Sequence, residues 1–454
     1  MLVVAITALG TACSVTKTYK RPDVVGKNSY RDGGSDSTNI ASLSWKTLFT
    51  DTVLQKLIAE GLEHNLDLKI AVASLDQSAA TFKQTKAAFL PSLSVDGSVT
   101  EAKPTQAQGY GVVSAYRQYQ LEASSSWEID LWGKLKSSKK AAYANLLASD
   151  AYRRVVLTQL IADIANDYYA LQAYDEQLAI TEHTVKNRVD DIETMKKLKD
   201  ADVTTGADVV QSIANRYSAS VSIPDLKLNI RETENALCVL LGREPGPIER
   251  QSLASEQPLE QITMGVPAQL LANRPDVQQA EYTLINSFEN TNVARTAFYP
   301  ALTLTATGGF SKTTLTNFFS SSSLFGNIVG GLTQPIFNNG TNKANLRIAQ
   351  AEQRSALYSF QKSLLTAGQE VSNAMFSYQM AQQKTEDRGK QIDALKKAVS
   401  YTQQLLKYTS ATNYTDVLTA EQNLLSAQLN SVSDRLQQLQ SIVNLYRALG
   451  GGWR

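Results

Sequence analysis

The sequence predicts a mainly α-helical chain with a small β part: long, coiled helical hairpins plus four strands, laid out as two copies of one unit. Three observations carry that reading. The stretch from Lys134 to Thr205 contains neither glycine nor proline, so nothing in it breaks a helix. Short matches recur in the same order roughly 208 residues apart along the chain. Two further stretches alternate apolar and polar residues with the period of a strand.

The chain opens with an apolar run from Met1 to Ala12 that ends in small residues before Cys13. This reads as the remnant of a secretory signal, residues 1–12, followed by a lipoprotein tail, residues 13–45. Leu9-Gly-Thr-Ala-Cys13 resembles a lipoprotein box, with leucine one place earlier than usual, and makes Cys13 the candidate acylated residue. The first basic residue is Lys17, after the cysteine, as expected if the start codon was assigned too late. The alternative is a truncated signal with an incidental cysteine.

The first repeat spans 46–247, with helices in 46–89, strands in 92–130, a long helix at 134–199 and a helix at 208–242. Leu157, Ile164, Leu171, Leu178, Val185 and Ile192 give the long helix an apolar seam with the heptad spacing of supercoiled helices. Pro224 is expected to kink or split the helix that follows. A proline-rich linker, 248–267, leads to the second repeat, 268–454. There a helix at 268–298, strands in 301–336, a long helix at 343–408 and a helix at 416–449 return in the same order. The second seam runs Leu364, Val371, Tyr378, Thr385, Ile392 and Val399, with Thr385 a polar break. A solvated structural coiled coil is the alternative reading of these helices taken alone.

Leu93, Val95, Gly97 and Val99 alternate with Ser94, Asp96, Ser98 and Thr100. Tyr119 to Ile129 and Leu302 to Phe310 alternate likewise, and Ile328 to Thr333 does so less sharply. Strands of this length cross a bilayer when tilted, apolar residues to lipid and polar ones to a wet interior. Four strands cannot close a barrel, and an open edge is not tolerated in lipid, so several chains would share one barrel. Two ordinary exposed hairpins are the alternative.

Composition narrows the function. Lysine plus arginine number 44 and aspartate plus glutamate 43, a net charge of +1, which gives no electrostatic case for nucleic acid. No apolar run approaches the ~18 residues of a membrane helix. Two cysteines, Cys13 and Cys238, make no disulfide scaffold, and His64 and His183 make a poor metal site. Histidine-based catalysis and a bound cofactor are therefore not expected.

The residues at this point resemble TolC-like outer membrane efflux proteins, in the OprM/NodT-type lipoprotein branch. The marks are Tyr19-Lys-Arg-Pro22, Trp45-Lys-Thr-Leu-Phe-Thr-Asp51, Asn65-Leu-Asp-Leu68, Asn273-Arg-Pro-Asp-Val277, Ala297-Phe-Tyr-Pro300, Gln334-Pro-Ile-Phe337 and Tyr446-Arg-Ala-Leu-Gly-Gly-Gly-Trp453. The resemblance implies a homotrimer whose helices form a hollow α-barrel across the periplasm. Three chains of four strands would form one 12-stranded outer-membrane β-barrel. It implies a passive exit duct, joined by a periplasmic adaptor to an inner-membrane pump and exporting drugs or other small toxic compounds, with no catalytic residues. The same architecture serves polypeptide secretion, and a lipid-anchored periplasmic coiled-coil protein without a pore is the reading from a different class.

In the family, aspartates that begin the helices leaving the hairpin tips help to build a closed aperture, and Asp208 and Asp416 match them. A ring of three carboxylates in a narrow lumen repels anions and attracts cations. Both can also be read as helix N-terminal aspartates; for Asp208 the two readings stay open, and for Asp416 the gate is the favoured one. Thr412 and Tyr414 stand where hydrogen bonds could latch the tip. Adaptor contact is expected at Lys199, Asp202, Val203, Thr204, Ser410 and Ala411. The family commonly has a glycine-bearing turn flanked by arginine there; Asp202 and Ser410 take the glycine places, Lys199 and Thr409 the arginine places.

Overall fold

The computed structural model describes residues 15–23, 40–103, 115–256, 273–408 and 414–453. A helical turn, Trp45–Leu48, precedes α1 (Thr52–His64) and α2 (Leu66–Ala87). The pair β1 (Ser92–Ala102) and β2 (Tyr116–Ile129) leads into α3 (Lys134–Asp200), then α4 (Gly206–Ser220) and α5 (Ser222–Leu240). The second half repeats the order as α6 (Pro275–Thr296), β3 (Ala301–Lys312), β4 (Leu324–Thr333), α7 (Thr341–Tyr408) and α8 (Tyr414–Ala448).

The long helices α3 and α7 contain 67 and 68 residues, each about 100 Å at 1.5 Å per residue. Glycine marks both ends of α3: Gly133, with φ of +78°, precedes it, and Gly206 opens the next helix. Asp130 caps its start, accepting from the amides of Leu135 (3.1 Å) and Lys136 (2.9 Å). Between 46 and 89 the chain divides at two capping residues. Asp51 Oδ1 accepts from the Val53 amide at 2.7 Å, and Asn65 Oδ1 from the Leu68 amide at 2.8 Å. Between α4 and α5 the break falls at Val221. It leaves Pro224 in the first turn of α5, where no intrahelical N–H is needed.

The chain folds as two compact units that cut across the repeats, one of 1–23, 74–150 and 279–361, the other of 24–73, 151–278 and 362–454. In the second, the heptad seam supplies core: Ile164, Leu171, Leu364, Val371 and Tyr378 are buried, beside Leu54, Ile58, Leu237 and Leu445. The duplication is visible here as a repeated lock. Gly242 and Gly450 end their helices with φ of +69° and +84°, and a Cβ at either would overlap the carbonyl of His64 or Asn273 respectively. Asn65 Nδ2 donates to Leu240 O at 2.9 Å in the first copy. In the second, Trp453 Nε1 donates to Asn273 O at 2.9 Å and buried Arg274 donates to Ala448 O at 2.9 Å. The matching Asn and Gly positions thus close each copy on itself.

The first unit carries one four-stranded antiparallel sheet in the order β1-β2-β3-β4. The β2–β3 pairing joins the two repeats, and β1 and β4 are its edges.

Candidate functional site

The pairing register converts the alternation of single strands into two continuous faces. Val95 lies opposite Ala123, Ala123 opposite Gly308, and Ala306 opposite Ile328. Leu93, Val99, Leu121, Trp127, Leu302, Leu304, Phe310, Leu324 and Leu332 belong to this apolar face. Leu93 is 77% exposed and Ile328 75%, so the chain by itself leaves the face bare. The opposite face carries Ser94, Asp96, Glu122, Ser124, Thr305, Thr307 and Asn327. Asp96 faces Glu122 directly, a like-charge pair that costs stability on a solvated sheet.

Aromatic residues collect at both ends of the strands. At the helical end, Trp127 Nε1 donates to Phe89 O at 3.0 Å and Trp132 Nε1 to Pro300 O at 2.7 Å, with Tyr299 5.1 Å from the Trp132 ring. At the loop end, Phe310, Phe318 and Phe319 pack together with centroids 5.1–6.2 Å apart. An apolar band between two aromatic girdles is the signature of a barrel wall in a bilayer. No described helix is long and apolar enough to cross a membrane.

Cys13 lies outside the described residues, but the tail after it has a fixed course along α6. Asn292 clasps Lys17 through its amide and carbonyl (3.0 and 2.9 Å), Tyr19 meets Phe288 edge-on at 5.6 Å, and Arg21 forks onto Glu281 at 2.6 and 2.7 Å. Thr16 reaches Gly133, next to Trp132 at the helical end of the sheet.

At the hairpin tip, α3 ends in a left-handed residue. Asp202 has φ of +56°, and the Val203 amide reaches back to Leu198 O at 2.8 Å. This is the helix stop that glycine usually makes, formed with aspartate in glycine's place. Lys199 and Asp202 are exposed, Val203 is 60% exposed, and Thr204 tucks its hydroxyl inside. Asp208 closes a capping box: its carboxylate accepts from the Thr205 amide (2.9 Å) and hydroxyl (2.7 Å), and its own amide donates to Thr205 Oγ1. Its side chain is thus committed to the start of α4. Asp416 is exposed in the first turn of α8. Tyr414 is buried with Met195, Val209, Val417 and Leu418, so it welds α3, α4 and α8 together; burial pushes its hydroxyl up to about 12. Ser410, Ala411 and Thr412 lie outside the described residues.

Sequence reasoning did not find the charged cluster above this core. Arg188 is buried and donates to the Asn215 carbonyl on α4. Beside it a cleft of about 390 Å³ is lined by Asp190, Asp191, Gln403 and Glu421. Burial, with Glu421 and Asp190 nearby, pushes Asp191 up to about 7. These residues come from three helices, α3, α7 and α8, so no local pattern announces them.

The sequence profile described as "Outer membrane efflux protein" matches residues 57–243 and again 266–451, once for each repeat. The chain belongs to this family. It is 30% identical over 464 aligned positions to the probable efflux pump outer membrane protein TtgC of Pseudomonas putida, covering 100% of this chain and 96% of that protein. It is 29% identical to the probable outer membrane lipoprotein SilC of Salmonella typhimurium, covering 97% and 92%. Among solved structures, the outer-membrane channel OprN superposes with a TM-score of 0.90 at 25% identity, over 97% of this chain and all of that one. The open state of the Neisseria gonorrhoeae MtrE outer membrane channel gives 0.85 at 27% identity, over 97% and 99%. The protein is an outer-membrane channel of the efflux type, and its fold is that of the TolC-like ducts.

Proposed function

We propose that three copies of this chain assemble into one passive exit duct, their sheets closing into a single twelve-stranded barrel. The observation that carries this is the bare apolar face of a sheet whose edges, β1 and β4, have no partner among the described residues. In lipid every strand edge has to be paired, and barrels begin at about eight strands. The up-and-down order puts β4 of one copy antiparallel to β1 of the next. Cysteines at Ser98 and Asn327, both on the polar face, should therefore cross-link between copies and yield covalent trimers. A product that stays monomeric would sink the shared barrel.

The tail course supports lipid attachment at Cys13. Thr16, three residues after Cys13, lies against Gly133 at the helical end of the sheet, and three residues span at most about 11 Å. Asp416 is proposed as the acidic constriction of the tip, with Tyr414 as its packing anchor and Thr412 as its neighbour. Asp208 is assigned to its cap. Lys199, Asp202, Val203, Thr204, Ser410 and Ala411 are proposed to meet a periplasmic adaptor that links the duct to an inner-membrane pump. That pump supplies the energy, so the duct itself needs no catalytic residue or cofactor.

The cargo is proposed to be drugs or small toxic organic compounds, because two further relatives from Pseudomonas putida are named as antibiotic and toluene efflux pump outer membrane proteins. Deleting the gene should raise susceptibility to such compounds and leave protein secretion unchanged. Loss of a secreted polypeptide with unchanged susceptibility would favour the secretion duct instead.

A further inference from the structure

Two carboxyl groups meet inside the second unit, well away from the tip cluster. Asp51 and Glu256 are 7% and 6% exposed. Asp51 Oδ1 caps α1 through the Val53 and Leu54 amides, and Oδ2 accepts from the Tyr168 hydroxyl. Glu256 Oε1 accepts from Gln172 Nε2 at 3.1 Å; Tyr168 and Gln172 stand one turn apart on α3, which sets the two carboxyls side by side, and Asp51 helps to raise that of Glu256. A hydrogen bond between two carboxyls requires one proton. Both Asp51 oxygens already act as acceptors, which leaves Glu256 as the carboxyl placed to hold it.

The surroundings show what this bond fastens. Residues 248–256 follow the first repeat and lie against α3 and α8. The Gln251 amide donates to Tyr168 Oη at 3.2 Å, and Arg250 forks onto Asp175 (2.6 and 2.9 Å) and reaches Glu234 (2.6 Å). From α8, Arg435 donates to the Glu256 backbone carbonyl. From α3, Tyr168 and Tyr169 face both acids. Arg435 is the one described cation acting on Glu256, and it is shared with Glu176.

We propose that residues 248–256 are fastened by a proton-operated latch. The shared Asp51–Glu256 proton docks the segment onto α1 and α3, and losing it leaves two buried carboxylates side by side and releases the segment. Burial, together with Asp51, raises Glu256 from 4.5 to about 7. The folded state therefore binds this proton more tightly than the unfolded chain does. The latch's contribution is fully present below about pH 4.5, falls as pH rises through about 7, and is absent above that.

Amide hydrogen exchange of the full-length protein in detergent, read on peptides covering 248–256 and corrected for intrinsic rates, tests the latch. Opening of this segment in the wild type should increase at least about tenfold between pH 5.5 and 8.5, while peptides from the α3 core stay flat. Glu256→Gln keeps a donor for Asp51 at every pH and should remain protected throughout. Opening that does not change with pH in the wild type overturns the proposal whether or not the variant folds. So does a Glu256→Gln protein as pH-dependent as the wild type.

Discussion

At the residue scale, the lock that ends each repeat explains motifs which the sequence offers only as family marks. Asn273-Arg-Pro-Asp and Leu-Gly-Gly-Gly-Trp are far apart in sequence, yet Trp453 and Arg274 tie them to each other. Gly450→Ala should destabilise by about 1–3 kcal/mol, because an L-residue is strained there and its Cβ meets the Asn273 carbonyl. Gly389→Ala, whose Cβ enters open space within α7, should stabilise by up to about 1 kcal/mol. Thermal unfolding in detergent compares the pair. Asp191 supplies a pH test with a definite sign. Its carboxyl is raised from 3.8 to about 7, so its cost to the folded state is absent below about pH 3.8, grows as pH rises towards 7 and is full above that. Asp191→Asn should raise the melting temperature at pH 8 by clearly more than it does at pH 5. Equal effects at both values would contradict the assignment. The acid cluster was not legible in sequence, since its members meet only when three helices pack. The left-handed Asp202 was half legible: the missing glycine could be seen, but not that aspartate would take its backbone shape.

At the element scale, the strands could be read because a period of two survives without knowledge of any partner. β4 was the least clear, with Val329, Gly330 and Gly331 blurring its alternation, and its pairing with β3 supplies the missing phase. The long helix α3 was legible from its bounding glycines and heptad seam. The breaks at Asp51 and Asn65 were not, because a capping residue and an ordinary polar helix residue look alike until the chain turns. Two substitutions test the faces. Val95→Lys, on the apolar face, should cost about 2–4 kcal/mol if that face meets lipid at mid-depth. Asp96→Asn, on the opposite face, should leave stability intact or improved, because it relieves the repulsion from Glu122, and should weaken the preference for cations in conductance. If both behave as neutral surface changes, the two faces have been misread.

At the scale of the whole molecule, the sequence carried the argument to a barrel that no single chain can close, and the sheet with two bare edges poses the same problem in atoms. Duplication resolves half of it, because β2 and β3 join the two repeats into one sheet. Assembly of three copies resolves the rest. The tip was less legible: Asp208 and Asp416 occupy matching places in the two repeats, but Asp208 is taken up by its capping box. The constriction is proposed at Asp416, which is exposed in the first turn of α8. The most direct test is single-channel recording of the purified trimer in a planar bilayer, with Asp416→Ala and Asp208→Ala beside the wild type. Small, cation-selective openings that grow in Asp416→Ala and do not change in Asp208→Ala are the predicted result. A folded trimer that conducts nothing in any of the three forms would contradict the duct itself.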